Sequence, residues 1–201
     1  MILILDTETT GLNPLQDEIL QLSVIDMQGN VRFDSYFHPA VDSWADAQKV
    51  NHITPEMVEN APTIFDSLAV LNDLFRDASL IIGYNPQFDL AFLRSAGIVI
   101  PNCAVFDCME QFAYEFGEWS DVHDSYKFQK LTTAAEYFHF RWGILPPHNS
   151  LSDCYATRFV YFHLCASRYC YGFLNDGISG IDEENILAVC LPSGSGVGMD
   201  V

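Results

Sequence analysis

Basic residues are scarce in this chain. Nine Lys and Arg residues stand against 27 Asp and Glu residues in 201 positions, which gives a formal net charge of −18 at pH 7. A protein that binds a long phosphate backbone by electrostatics alone needs many clustered cations, and here the cations are scattered. The composition therefore excludes that class, and any nucleic-acid contact is expected to be small and assisted by metal ions.

The sequence also lacks the marks of export and of membrane insertion. The apolar residues 1–5 have no basic leader or cleavage site, and no apolar run is long enough to span a membrane. Six cysteines occur without a Cys-x-x-Cys pair, which argues against a disulfide scaffold and a structural zinc site. We therefore expect reduced thiols and a cytoplasmic protein.

Short apolar runs and turn signals indicate the fold class. Runs at 2–5, 19–26 and 31–37 predict a strand followed by a hairpin. Two further strands, at 80–84 and 104–106, alternate with helical patterns, which is typical of a parallel arrangement. The sequence predicts an α/β fold with a mixed five-stranded sheet, an antiparallel hairpin plus parallel strands, flanked by helices.

Helical periodicity fills the segments between the strands. After Thr63 an apolar stripe is predicted to be core, and its members are Phe65, Leu68, Ala69, Leu71, Leu74 and Phe75. Further helices are predicted at 88–96, 107–116, 128–138 and 149–170, with a surface loop at 117–126.

The end of the chain differs in composition from the rest. Residues 171–201 contain no Lys or Arg and finish in a run of Gly and Ser. We therefore predict a main domain at 1–170 and an acidic C-terminal extension at 171–201, with a short helix at 182–191.

The first strand ends in two carboxylates, Asp6 and Glu8. Side chains alternate along a strand, so these two acids share one face while Thr7 and Thr9 share the other. Paired carboxylates repel each other unless a cation lies between them, and Mg²⁺ or Mn²⁺ prefers such oxygen ligands. Taken alone, such a pair is more typical of a strand end at which both acids are solvated, so the metal site depends on the rest of the sequence.

Three more polar residues lie near the ends of predicted elements. Asp89 begins a helix after a strand, and Asp153 begins the last helix, shortly after His148. Open α/β sheets place their sites at strand ends, so these side chains could meet the first pair. Each has a structural alternative: a favourable charge at a helix N-terminus for Asp89, a capping box with Ser150 for Asp153, and an ordinary loop position for His148.

Together the segments resemble the DnaQ-like 3′–5′ exonucleases of the DEDD superfamily, in the histidine-containing branch. Residues 6–12, Asp-Thr-Glu-Thr-Thr-Gly-Leu, are similar to the first motif, residues 84–89, Tyr-Asn-Pro-Gln-Phe-Asp, to the second, and His148 with Asp153 to the third. The resemblance covers residues 2–170 and implies an RNase H-like fold. Asn149 stands where the tyrosine-containing branch would have Tyr, so that branch fits less well.

The resemblance implies a role for each of these side chains. Two Mg²⁺ or Mn²⁺ ions would be held by Asp6, Glu8, Asp89 and Asp153. His148 would be the general base. The terminal nucleotide would be held by Thr9 and Leu12, and Asn85 would line the path of the strand. Two positions depart from the family pattern: Tyr84 replaces a common His, and Asn51-His52 replaces His-Gly.

The implied activity is metal-dependent hydrolysis of phosphodiester bonds from the 3′ end of short or single-stranded nucleic acid. DNA is favoured over RNA, the products are nucleoside 5′-monophosphates, and a role in repair or proofreading follows by resemblance. This activity is compatible with a homodimer, or with binding to a replication or repair partner. The competing hypothesis is a non-catalytic, acidic protein that has a nuclease fold and acts as a binding protein or a DNA mimic. The net charge of −18 favours this alternative.

Overall fold

The computed structural model of the chain describes residues 1–144 and 146–173. Its main sheet has five strands: β1 (Ile2–Thr9), β2 (Ile19–Asp26), β3 (Val31–Tyr36), β4 (Leu80–Gly83) and β5 (Ala104–Asp107). The strand order is β3-β2-β1-β4-β5, antiparallel between β1, β2 and β3 and parallel between β1, β4 and β5. The predicted mixed sheet is therefore confirmed.

Helices cover both faces of this sheet. They are α1 (Ala45–Asn51), α2 (Pro55–Val58), α3 (Leu68–Arg76), α4 (Pro86–Ser95), α5 (Cys108–Phe116), α6 (Leu131–Tyr137) and α7 (Ser150–Phe173). Sequence periodicity did not indicate α1, and the expected loop at 117–126 contains a small hairpin of β6 (Trp119–Ser120) and β7 (Ser125–Tyr126). Within the described part of the chain, no helix combines the length and the apolar character that a membrane span requires.

Strand β1 lies at the centre of two apolar cores. Leu3 and Leu5 are fully buried in a core that includes Phe75 of α3 and Leu93 of α4. Ile4, on the other face of the strand, is buried in a core with Val160 of α7. The alternation along β1 therefore builds a three-layer molecule, with α3 and α4 on one side of the sheet and α5, α6 and α7 on the other.

The expected core stripe after Thr63 is wrong in part. Phe65 is 64% exposed, and Ala69 is exposed as well, whereas Ile64 is buried. Ile64–Ser67 forms a 3₁₀ turn, in which Asp66 accepts hydrogen bonds from the backbone and hydroxyl of Thr63. The side chains that face the core, Ile64, Leu68, Leu71 and Phe75, follow the spacing i, i+4, i+7 and i+11, and Phe65 and Ala69 lie outside that stripe.

The proposed division of the chain at residue 170 stays a prediction. Helix α7 continues to Phe173. Residues 174–201, including the helix expected at 182–191, lie outside the described residues.

A tight connection joins β4 to α4. A Cβ atom at Gly83 would lie 2.7 Å from Cβ of Pro86 and 3.1 Å from its Cα, so no side chain fits there. Asn85 follows with φ of 65°, in the left-handed region that few residues other than Gly and Asn adopt. The two residues turn the chain within a short distance and bring the first turn of α4, with Asp89, beside β1.

Substitution of Gly83 should therefore be costly. We expect Gly83→Ala to lower the free energy of unfolding by roughly 1–3 kcal/mol, the usual effect of an added methyl group that forces backbone apart. The matched control is Gly143→Ala, because a Cβ at Gly143 would meet no atom within 4 Å. Urea unfolding of the three proteins measures the difference, and equal midpoints for both variants would contradict the packing argument.

Candidate active site

Strand β1 presents Asp6 and Glu8 on the face that α7 covers. Both residues alternate with Thr7, in phase with Ile4, which packs against α7. Strand β4 pairs with β1 only from Ile2 to Ile4, whereas β2 pairs with β1 along most of its length. The two carboxylates therefore lie beyond the end of β4, where the sheet leaves room for a site.

Asp89 joins them from α4. Its side chain is 4% exposed, and its Oδ1 accepts hydrogen bonds from the backbone N–H of Thr7 at 2.8 Å and from the hydroxyl of Thr7 at 2.6 Å. Thr7 points away from Asp6 and Glu8 along the strand and so reaches α4. Sequence analysis did not assign this role to Thr7. Its position between the two acids, with its side chain on the other face of β1, could have indicated a contact with a helix on that face.

Asp153 enters from the first turn of α7. The helix begins at Ser150, so the capping-box alternative, with Ser150 as the capping residue, is wrong. The Ser150 hydroxyl instead shares a hydrogen bond with the hydroxyl of Ser23 at 2.6 Å, and its N–H donates to Oε1 of Gln21 at 3.2 Å. These bonds to β2 hold the start of α7, and hence Asp153, against the sheet.

His148 lies on the loop before α7 with an exposed side chain and φ of 64°. Its backbone N–H donates to Oδ2 of Asp153 at 3.2 Å. Side-chain ligand atoms of Glu8, His148 and Asp153 all lie within 4.8 Å of one another. The imidazole therefore lies beside the carboxylates rather than elsewhere on the loop.

Burial and mutual repulsion shift the pKa values of the acids upward. Burial, then the charges of Asp153 and Asp89, raises the pKa of Glu8 to about 8. The pKa of Asp6 is raised well above its usual value, first by burial and then by Asp153, Asp89 and Glu8. For Asp89 and Asp153, burial raises the pKa to about 7 against hydrogen bonds that favour the charged form. Without a cation, the cluster resists full ionisation.

The donor set fits a divalent cation of the Mg²⁺ or Mn²⁺ type. In the part of the chain that the structure describes, none of the four acids forms an ion pair within 4.0 Å. Asp153 Oδ1 is buried and, among the described residues, has no hydrogen-bond partner. Carboxylate oxygens that lack other partners are the ligands that hard cations bind.

The proposed substrate residues lie at the end of β1, on the loop after it, and at the start of α4. Thr9 is buried, and its hydroxyl donates to the carbonyl of Gly11 at 2.6 Å, which closes the loop after β1. Leu12, on that loop, is 84% exposed. Asn85 is exposed, and its N–H donates to Oδ1 of Asp107 at 3.0 Å.

Asn51 is a further residue of the site that sequence analysis did not assign. It is buried, its Nδ2 donates to the carbonyl of Thr9 at 3.1 Å, and its Oδ1 accepts from the N–H of Ile53 at 3.1 Å. It thereby fixes the backbone of Thr9 from α1. The departure from the family pattern at Asn51-His52 marked the position, but the contact depends on the tertiary fold.

The environment of His148 favours its neutral form. Partial desolvation is the main cause that lowers the pKa of its imidazole, and the positive charges of His52 and Lys130 add to it. A lowered pKa means that more of the imidazole is unprotonated at neutral pH, as a proton acceptor requires.

Two curated relatives match most of this chain but only a small part of their own length. A PolC-type DNA polymerase III of Caldanaerobacter subterraneus subsp. tengcongensis is 25% identical over 168 residues, which is 80% of this chain and 11% of that protein. The 3′-5′ exonuclease DinG of Bacillus subtilis is 28% identical over 171 residues, which is 80% of this chain and 17% of that protein. The chain thus spans less than a fifth of either relative.

Solved structures share the fold. Exonuclease X in complex with 5′ overhanging duplex DNA has 19% identity and a TM-score of 0.61 over 94% of this chain and 99% of that one. Exonuclease I of E. coli in complex with a dA16 oligonucleotide has 22% identity and a TM-score of 0.67 over 87% of this chain and 42% of that one. At these identities the likeness shows the RNase H-like fold.

The RNase_T exonuclease model matches residues 3–161, from the start of β1 into α7. That span contains all four acids and His148. The chain therefore belongs to the RNase_T exonuclease family, which confirms the resemblance to DnaQ-like DEDD exonucleases.

Proposed function

We propose that this chain is a metal-dependent 3′–5′ exonuclease of the histidine-containing branch, which hydrolyses phosphodiester bonds at the 3′ end of short or single-stranded nucleic acid and releases nucleoside 5′-monophosphates. The observation that carries the proposal is the convergence of four buried or half-buried carboxylates, with His148 beside them, from β1, α4 and α7. Buried acids without cationic partners weaken a fold, so their convergence is explained by ligand binding.

Two Mg²⁺ or Mn²⁺ ions would be held by Asp6, Glu8, Asp89 and Asp153. When bound, such ions stabilise charge on the attacking and leaving oxygens and make a water more acidic. The protein supplies the fixed ligand geometry. Thr7 orients Asp89, and the His148 backbone orients Asp153, so that these carboxylates need little rearrangement to bind.

His148 would accept the proton of the attacking water. Its side chain is exposed to solvent while its backbone is tied to Asp153, so the ring remains close to the acids and can pass the proton to bulk water. The lowered pKa of the imidazole keeps it neutral at pH 7.

The terminal nucleotide would be held by the loop after β1. Thr9 and Asn51 fix the backbone there, and the exposed Leu12 side chain is placed to pack against a base. Asn85 would line the path of the strand. With few cations available, binding should favour short or single-stranded ends over long duplex. A preference for DNA over RNA is supported by the DNA present in the Exonuclease I and Exonuclease X complexes.

A role in DNA repair or proofreading is supported by the likeness to DinG and to PolC-type polymerases. These relatives are far longer than this chain, and we propose that it acts with a replication or repair partner or as a homodimer.

A cytoplasmic location fits the buried free thiols of Cys108 and Cys154.

A direct test is degradation of 5′-labelled single-stranded DNA, RNA and blunt duplex in Mn²⁺. We expect progressive shortening from the 3′ end, fastest on single-stranded DNA.

Asp89→Asn preserves the side-chain shape but removes a charged ligand, so it should abolish turnover in a folded protein. The matched control, Asp121→Asn, changes an exposed acid between β6 and β7 and should keep full activity. Binding of single strands without any shortening would instead favour the acidic binding protein.

The role of His148 is tested by the pH dependence of single-turnover cleavage. We expect His148→Ala to lower the rate by roughly 10²–10⁴-fold, the usual contribution of a positioned general base. Because the pKa of the imidazole is lowered, the wild-type rate should rise with pH through a step below the ordinary histidine value and then level, and the variant should lose this step. His123→Ala, at an exposed histidine of the β6–β7 hairpin, is the control. If wild type and His148→Ala share the same step, His148 is not the base.

A further inference from the structure

A row of side chains runs across the sheet from the carboxylates to its outer edge. Glu8 of β1 pairs with Gln21 of β2, and Gln21 pairs with Tyr36 of β3. Directly opposed residues of antiparallel strands point to the same face, so all three side chains lie on the α7 side of the sheet. Gln21 is 2% exposed, whereas Tyr36, on the edge strand, is half-buried. The row therefore connects the active site with the edge of the sheet at β3.

Asn149, the residue after His148, contacts two members of this row. Its Nδ2 donates to Oε1 of Gln21 and to the hydroxyl oxygen of Tyr36, at 3.4 Å in each case. The two hydrogens of one amide nitrogen suffice for both bonds. Oδ1 of Asn149 accepts from the N–H of Ser152 at 3.4 Å and so caps the first turn of α7. Asn149 thus joins the start of α7 to the two outer strands.

The backbone conformation of His148 requires support from its neighbours. Its φ of 64° lies in the left-handed region, which costs free energy for a residue other than Gly and persists where surrounding contacts enforce it. The imidazole is exposed, so the position of the ring depends on the backbone that carries it. That backbone is held on one side by Asp153, which accepts the His148 N–H, and on the other by Asn149. Loss of the Asn149 contacts should therefore let the loop relax and move the ring away from the carboxylates.

We propose that Tyr36 and Asn149 are positioning residues for His148. Asn149 holds the loop against Gln21 and Tyr36, and Tyr36 acts on the base through Asn149. The inference rests on the proposed function, in which His148 accepts the proton of the attacking water. A general base must lie within hydrogen-bond reach of the proton that it removes, so its displacement slows proton transfer and leaves substrate binding unchanged.

The first measurement is single-turnover cleavage of 5′-labelled single-stranded DNA in Mn²⁺. We expect Tyr36→Phe, which removes one hydroxyl, to lower the rate roughly 2- to 10-fold, the factor that one hydrogen bond is worth. Asn149→Ser removes both bonds to the row but keeps a capping residue, so it should lower the rate roughly 5- to 100-fold in a folded protein. KM should not change in either variant. The matched control is Tyr155→Phe, because the Tyr155 hydroxyl also ties α7 to the sheet, by donation to the carbonyl of Gly29 at 3.3 Å, but at the β2–β3 turn, away from the carboxylates.

A double-mutant cycle with His148→Ala separates positioning of the base from other roles. If Tyr36 and Asn149 act through His148, neither Tyr36→Phe nor Asn149→Ser lowers the rate further in the His148→Ala protein. A loss that persists in that background would show that they act through the carboxylates or the fold, and would overturn the inference. An unchanged rate in both single variants, or a change in KM alone, would overturn it as well.

Failure of the proposed function would be seen separately, because wild type would then cleave no substrate. The carbon chemical shifts of Cα and Cβ of His148 report its backbone conformation without any turnover. We expect them to move in Asn149→Ser and to stay unchanged in Tyr155→Phe. Unchanged shifts in Asn149→Ser would contradict the positioning role, whether or not the protein is a nuclease.

Discussion

Four carboxylates are buried together at one site, and burial, with added repulsion at Asp6 and Glu8, raises the pKa of each of them. Asp6 and Glu8 on β1 lie beside Asp89 and Asp153, which come from helices on opposite faces of the sheet. Several hydrogen bonds serve to hold this unfavourable arrangement: Thr7 binds Asp89, and the start of α7 is tied to β2. Under the proposed function, divalent cations bound at this cluster would offset the cost of keeping the four acids together.

The scarcity of Lys and Arg residues limits how this chain can bind a polyanion. A net charge of −18 does not attract a polyanion over long distances, so in the proposed function the metal ions at the acidic cluster would be the main means of binding a phosphate. Further binding energy would then come from apolar contacts, such as those of the exposed Leu12 side chain with a base. The proposed activity is therefore on short, flexible ends, and the chain matches only 11% of a PolC-type DNA polymerase III and 17% of the 3′-5′ exonuclease DinG.

Sequence patterns were sufficient to predict the placement of side chains where it depends on neighbouring residues in the chain. Alternation along β1 placed Asp6 and Glu8 on one face, and the motif resemblance gave the second and third motifs that the fold brings together. The contacts that orient these groups were not predictable in the same way, because Asn51 reaches Thr9 across 42 positions of sequence and Thr7 reaches Asp89 across 82. The exposed Phe65 shows a second limit, because the sequence pattern did not show which of two adjacent apolar residues, Ile64 or Phe65, faces the core.

The most direct measurement of the central claim is thermal unfolding as a function of pH, in EDTA and in saturating Mg²⁺. Folding raises the pKa of Asp89 and Asp153 to about 7 and that of Glu8 to about 8, so the native state holds extra protons above the unfolded values of 3.8 and 4.5. In EDTA, Tm should therefore fall as pH rises from about 4 to about 8. Mg²⁺ should raise Tm increasingly over that range, because it binds the deprotonated acids. A Tm in EDTA that does not fall over this range, together with no effect of Mg²⁺, would contradict the account.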